Sequence, residues 1–389
     1  MTQKRLCITT LAVLSLLSAP AVAQETIKLG VLVSLSGAGA TWGLAMKGAA
    51  ELAAEDINNE GGLDVGGKKY KIDIVAYDDQ YKSSEAITAA NRLISQDGIK
   101  FMMGPMGSAP AVAIMPITTQ AKVLTSTMAF TDKAMNKDTP YSFRPVLPSS
   151  LFSGPQAKWV VKKLGITKIA GFYPNDETGQ ALLKDNEEAY TAAGASFVIK
   201  ETFERERTDF TPLLTRVIAS DAEAIELSGN SPQTAGLIVK QAREFGWDKP
   251  IIRTGGDATA DIINVAGAQF AEGVYVHQPL NAELPETKGY IDRWKARYKT
   301  EVNGFSPFFY VNMKMLFEGI KKAGTVDDTD KIRAAMLELK DYPSVLGPVS
   351  WTGEQKYGIN HQLNAPFYIG QIRGGKSVTI ATCDIDDCK

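Results

Sequence analysis

The chain has 389 residues, with 42 Lys plus Arg against 44 Asp plus Glu, three cysteines and two histidines. That length suits two domains of ordinary size, and the near-neutral charge leaves no basic footprint for nucleic acid or anionic lipid. The two histidines, His277 and His361, lie far apart in sequence, so a His-based metal site or catalytic triad has little material.

Lys4 and Arg5 precede an apolar run from Leu6 to Leu17, and Pro20 comes just before Ala21-Val22-Ala23. A basic start, a short apolar core and a small-x-small site are the layout of a secretory signal peptide over residues 1–23. The run is too short for an ordinary membrane span of about 20 residues. No lipobox Cys follows it, since Cys7 lies before the run. The expected mature chain starts near Gln24 and is exported. Removing residues 1–23 leaves 40 basic and 44 acidic residues, a mildly acidic balance. Cys383 and Cys388 remain, and in an oxidising compartment they are expected to form a small disulfide.

Ile27 to Leu35 is an apolar run expected to be a strand covered on both faces. Ser36 to Thr41 is a loop of small residues, where backbone N–H groups can approach a ligand. Trp42, Met46, Ala49, Ala53 and Ile57 then recur at helical spacing, as the sheet-facing side of a helix would. Lys69–Tyr77 alternates as a strand. Ser83–Gln96 reads as a helix stopped by Gly98. Ile99–Met103 is a strand, Gly104–Ser108 a loop, and Ala109–Ala121 a helix that Pro116 should kink or split. Val123–Thr127 is the next strand. Pro140, Pro145 and Pro148 then break the rhythm and suggest a crossing between lobes.

A second run of alternation follows. Ser153–Leu164 is a helix, Lys168–Phe172 a strand, and Pro174–Gly179 a turn. Gln180–Ala193 is a helix and Ser196–Phe203 a strand. Thr208 and Asp209 offer N-caps to a helix ending at Ile218. Ala224–Leu227 is a strand, and Gly229–Pro232 opens the next helix. Ile251–Thr254 and Gly273–Val276 are strands on either side of the Gly255–Asp257 turn. Helices are expected over 285–300, 306–323 and 328–339, then a strand-rich tail. Two blocks of βαβα alternation imply an α/β protein with two doubly wound parallel-sheet lobes.

Loops at the carboxyl ends of strands are where open α/β sheets bind ligands. Two such edges facing each other would form a cleft lined by hydroxyls, N–H groups and a few apolar walls. The same stretch also reads, weakly, as a dinucleotide fingerprint, Gly37-x-Gly39-x-x-x-Gly43. It has one residue too many before its last glycine and no clear acidic partner. Neither a Gly-x-Ser-x-Gly elbow nor a His-Glu-x-x-His motif occurs.

The opening IKLGVLVSLSGAGATWGLAMKGAAELAAEDINNEGG, the YDDQ strand end, GPMGSA, NDETGQ, TDFTPLL and GNSPQTAGLIVKQAREFGW together resemble a known family. They look like periplasmic solute-binding proteins of the leucine/isoleucine/valine-binding type, which serve ABC transporters. The likeness covers nearly all of residues 26–380. It implies a type I periplasmic-binding fold, with the lobes joined by three crossing segments and the solute held between them. Lobe one would comprise 24–145 plus 278–360, and lobe two 146–277 plus 361–389. The implied protein is a monomer without catalysis or cofactor, whose partners are a small carboxylate or amino acid and a membrane permease.

The resemblance also assigns residues. Trp42 matches the aromatic that covers the ligand, with a packed core Trp as the plainer role. Ser108 matches the hydroxyl that holds a carboxylate together with backbone N–H groups, and a helix N-terminus there would favour an anion. A simple N-cap is its plainer role. Met128, Ala129 and Phe130 match the next binding loop, where Phe130 falls on an expected Thr unless Thr127 or Thr131 supplies the hydroxyl. Core packing is the plainer role of Met128 and Phe130. Thr178 and Asn230 fall where tyrosines are common. Asp257 matches the acid that pairs with an ammonium, or else caps a helix over 258–266. The family's internal disulfide is missing, with Tyr81 and Gly107 in its places.

These features imply a branched-chain or other hydrophobic amino acid as ligand. The changed walls leave room for an aromatic or keto acid or a small amide. Rival roles are a chemoreceptor ligand carrier, a secreted oxidoreductase and a cytoplasmic regulator of the same fold.

Overall fold

A computed structural model describes residues 24–389, so the expected leader and Cys7 lie outside the described residues. The first sheet is built from β1 (Glu25–Val33), β2 (Leu63–Val65), β3 (Lys68–Asp78), β4 (Phe101–Met106), β5 (Leu124–Met128) and β6 (Ser142–Phe143). Between them run α1 (Ala40–Asn59), α2 (Ser83–Ser95) and α3 (Ser108–Gln120). The strand order is β2-β3-β1-β4-β5-β6, parallel except for the short β2. The five α1 residues expected to face inward are all buried. Helix α3 is not split by Pro116, which forgoes only the bond its missing N–H would have made to the carbonyl of Val112.

The chain then crosses to a second lobe. There α4 (Ser149–Leu164), β7 (Lys168–Pro174), α5 (Glu177–Ala193), β8 (Ser196–Phe203), α6 (Thr211–Ile218) and β9 (Ala224–Glu226) follow in turn. They continue into α7 (Pro232–Glu244), β10 (Ile251–Arg253), α8 (Thr259–Ala266), α9 (Ala268–Ala271) and β11 (Tyr275–Gln278). Helix α4 begins four residues before the expected Ser153, directly after Pro148, whose extended backbone marks the entry.

A second crossing returns the chain to lobe one, where α10 (Pro285–Tyr298), α11 (Ser306–Ala323) and α12 (Thr329–Leu337) are added. Helix α10 is fastened to α1: Arg293 pairs with Asp56 at 2.6 Å and Arg297 with Glu55 at 3.1 Å. A small hairpin, β12 (Ser350–Thr352) and β13 (Gln362–Asn364), with the one-turn α13 (Glu354–Tyr357) between its strands, precedes the third crossing. Then β14 (Phe367–Arg373) and β15 (Lys376–Cys383) enter the second sheet antiparallel. Its order is β15-β14-β11-β10-β9-β7-β8. Cys383 and Cys388 are disulfide-bonded at the end of β15.

The first and third crossings are tied together by buried polar groups. Arg144 Nε donates to Gln362 Oε1 at 2.7 Å, and Gln362 Nε2 donates to the carbonyls of Arg144 and Val146. Burial of such groups is tolerated where they find partners, as most of these do; Arg144 Nη2 has no hydrogen-bond partner among the described residues, with Asp132 3.8 Å away.

Candidate functional site

In each sheet the strand order reverses once, and a crevice opens at the carboxyl ends there. In lobe one the reversal falls between β1 and β4, so the loops at 34–39 and 107–108 flank the crevice. In lobe two it falls between β7 and β9, flanked by 175–176 and 227–231. The two lobes use the same close approach of helix to strand. A Cβ added at Gly43 in α1 would lie 1.8 Å from the carbonyl oxygen of Ser34, and one at Gly179 in α5 would lie 1.8 Å from that of Pro174. The glycine pattern that resembled a nucleotide fingerprint thus has a packing cause at Gly43.

On lobe one, Ser108 is the first residue of α3 and Gly107 is the cap. Its simple N-cap role is therefore not what the hydroxyl does. Ser108 Oγ accepts the N–H groups of Phe130 at 3.1 Å and Thr131 at 3.3 Å. A hydroxyl that accepts two bonds keeps its proton to donate, and no acceptor for it occurs among the described residues. Met128, Ala129 and Phe130 are buried on the same loop. The hydroxyls beside Phe130 are engaged elsewhere: Thr127 donates to the Pro105 carbonyl, and Thr131 to Glu177 of lobe two at 3.0 Å.

Phe130 joins an aromatic cluster that crosses the interface. Its ring meets Phe152 of α4 edge-on at 5.6 Å and Phe305 at 6.4 Å. Phe152 continues to His277 at 5.0 Å, which stacks on Phe367. Burial drives the His277 imidazole down to about 3, with the nearby Arg253 charge acting in the same direction. His277 is therefore neutral, and its Nδ1 lies 3.1 Å from Gln156 Oε1.

The lobes touch along the cleft. Trp42 Nε1 donates to the Asp257 carbonyl at 2.9 Å, which carries this buried lobe-one ring onto lobe two. Thr178 Oγ1 accepts the Ser108 N–H at 3.1 Å and lies 2.8 Å from the Tyr81 hydroxyl. Gln233 reaches Thr41 at 2.8 Å. Asn230 is buried, with its Nδ2 donating to the Phe172 and Leu227 carbonyls while Oδ1 has no partner among the described residues.

Asp257 occupies a different position from the other expected groups. One oxygen accepts the N–H of Thr259 at 3.3 Å and the other accepts the N–H of Gly304. Burial raises its pKa, and the two N–H bonds and the Arg253 charge oppose that rise. The adjoining helix starts at Thr259, with Ala258 as its cap residue.

Three residues at the cleft were not singled out from the sequence. Tyr81 lies over Gly107, where an added Cβ would meet the ring at 2.5 Å. Gln80 and Tyr81 both have positive φ, of 51° and 61°. Their N–H groups are held at 2.8 Å by the carboxylates of Asp78 and Asp79, which sustain this left-handed backbone. Arg205 of lobe two stacks on the Tyr81 ring at 4.4 Å and donates to its hydroxyl at 3.1 Å, while pairing with Asp176. Arg253 is fully buried at the end of β10, and the Trp42 ring lies 6.0 Å from its guanidinium. The sequence signal for Arg253 was a charge in an otherwise apolar strand. Tyr81 and Arg205 gave no such signal.

The architecture defines a two-lobed binding protein of the type I periplasmic class. The chain belongs to the periplasmic binding protein family, whose model matches residues 26–376. It is 27% identical over 332 residues to the Leu/Ile/Val-binding protein of Escherichia coli strain K12, covering 84% of this chain and 87% of that one. The isoleucine complex of LivJ, the branched-chain amino acid transporter substrate-binding protein of Streptococcus pneumoniae, superposes with a TM-score of 0.80. Its identity is 27%, with 92% of this chain and 100% of that one covered. The solute-binding protein of an ABC transporter from Rhodopseudomonas palustris BisB5, in complex with 3,4-dihydroxybenzoic acid, also gives 0.80. Its identity is 26%, with 93% and 98% covered. The family is one of transport proteins that bind solutes, not of enzymes.

Proposed function

We propose that this protein is the extracytoplasmic solute-binding component of an ABC uptake transporter. It captures a small carboxylate with an apolar body between its lobes and delivers it to the permease, with no covalent chemistry. The observation that carries this reading is the Ser108 hydroxyl, which is fixed by two backbone N–H groups at the start of α3 and left with a proton to donate. A carboxylate there would accept that proton at a helix N-terminus, where negative charge is favoured. Phe130, Phe152 and Phe305 supply an apolar wall. Trp42 and Thr178 bring lobe one and lobe two together around it, and Asn230 is pinned within lobe two. Relatives that bind branched-chain amino acids and hydroxybenzoates are consistent with a carboxylate anchored in this way.

Export by the leader at 1–23 and action as a monomer belong to the same proposal. A micromolar dissociation constant needs about 8 kcal/mol, within reach of a few charge-assisted bonds and one buried apolar group. The test is a thermal-shift screen of amino acids, aromatic acids, keto acids and small amides, because a solute that binds only the folded state raises Tm. Solution scattering with each hit should show a more compact particle. Hits confined to uncharged amides, or a turnover product, would overturn the proposal.

A further inference from the structure

Arg253 is the one large cation buried in the lobe-two half of the cleft whose charge the surrounding protein does not neutralise by contact. Its Nη1 donates to the carbonyls of Gly255 and Gly256, and Nη2 to the carbonyl of Asn230 at 2.9 Å. Nε is buried with no partner among the described residues. No carboxylate lies within 4.0 Å of it among the described residues, whereas Arg205, another cation beside the cleft, pairs with Asp176. The nearest acids are committed elsewhere. Glu226 receives the hydroxyls of Tyr190 and Ser228 and both donors of Thr254. Asp257 receives the N–H groups of Gly304 and Thr259. Asp261, a more distant acid, accepts from Gln233.

A buried guanidinium held only by neutral carbonyls is costly unless an anion completes its shell. Arg253 sits at the carboxyl end of β10, between the Asn230 loop and the Trp42 ring that descends from lobe one. That is the cleft itself. Burial lowers its pKa to about 10, so it remains charged at neutral pH, where Asp257 and Glu226 at a distance help to hold the charge.

We propose that Arg253 is the lobe-two contact for an anionic group of the solute, so that the cleft selects net-anionic organic acids over zwitterionic amino acids of the same carbon skeleton. This rests on the carboxylate-capture reading above and narrows its substrate class. The competing arrangement, an ammonium held by Asp257, would place a second positive charge in the half of the cleft that already holds the guanidinium.

Matched pairs test it on the purified protein by calorimetry: 4-methyl-2-oxopentanoate against leucine, and phenylpyruvate against phenylalanine, with benzoate as a third acid. Each acid lacking the amine is expected to bind at least tenfold more tightly than its amino counterpart. Arg253→Met should lose at least tenfold for the acids and so abolish their preference over the amino acids, and Arg253→Lys should keep part of that preference. Leucine or phenylalanine binding as tightly as its oxo partner, or more tightly, overturns the inference and leaves carboxylate capture standing. If no carboxylate binds but an amide does, capture of a carboxylate falls and takes the inference with it. If Arg253→Met does not fold, as judged by circular dichroism, the wild-type pairs and Arg253→Lys decide alone.

Discussion

The two faces of the cleft are made of different material. Lobe one presents a hydroxyl, Ser108, that the backbone N–H groups of Phe130 and Thr131 hold in place. Lobe two presents side-chain charge, at Arg253, Arg205, Asp176 and Asp257. Backbone donors are fixed by the fold and cannot be changed one at a time by mutation. Side-chain charges can be. The contrast implies a division of labour in which lobe one holds what all solutes share and lobe two chooses among them.

The largest effect should come where the two faces are alike. Gly43→Val and Gly179→Val each force a side chain into a strand carbonyl at the same kind of junction. Each is expected to cost more than about 3 kcal/mol and lower Tm by at least several degrees. Thermal denaturation showing one tolerated and the other not would break the structural equivalence of the lobes.

Next comes Ser108→Ala. It removes a hydroxyl proposed to bond a charged group, worth about 1.5–3 kcal/mol, so affinity should drop roughly 10- to 100-fold. Calorimetry should show the same factor for every carboxylate that binds. A loss that varied between solutes would assign selection to lobe one and undo the division.

The pH response should separate the faces by sign. His277 in lobe two has its pKa lowered to about 3, so the unfolded chain binds the extra proton between about 3 and 6.5 and stability falls as pH drops through that range. Asp79 in lobe one has its pKa raised to about 6, chiefly by burial, so the folded chain binds the extra proton between about 4 and 6. Its contribution therefore grows as pH drops. At pH 5 the His277 effect is on the order of 2 kcal/mol. Denaturant melts should show His277→Gln losing less stability than wild type between pH 6.5 and 5, and Asp79→Asn losing more. Parallel curves for both variants would refute this assignment.

The smallest effect expected is from Tyr81→Phe, which removes the hydroxyl shared by Thr178 and Arg205 but keeps the ring under the guanidinium. About 1 kcal/mol of closure energy is at stake, a roughly fivefold weaker Kd for all solutes alike. Stopped-flow binding should place the change in the off-rate.

Much of this was legible in the sequence. The alternation of apolar runs and amphipathic helices named the two sheets, and buried strands such as β1 and β7 were plain because both faces are covered. Helix α4 was read short, because two serines after Pro148 look like loop until the backbone of the crossing is known. At the site, Ser108, Trp42 and Thr178 stood out through motif resemblance. The contacts they make, such as Trp42 to the carbonyl of Asp257, did not, since they join residues far apart in the chain. Tyr81 was noticed only as a missing cysteine. Its role appears when Gly107 is seen to leave room for the ring and Arg205 to cap it.

The interleaving of the chain has a bearing on biogenesis. Strands β14 and β15 complete the second sheet beside β11, and helices α10 to α12 complete the packing of the first. Neither half is finished until long after its first strands have emerged from the ribosome. Under the export proposed above, this keeps the polypeptide threadable: the first lobe is unfinished until residues 285–337 have emerged, and the second until residues 367–383 have.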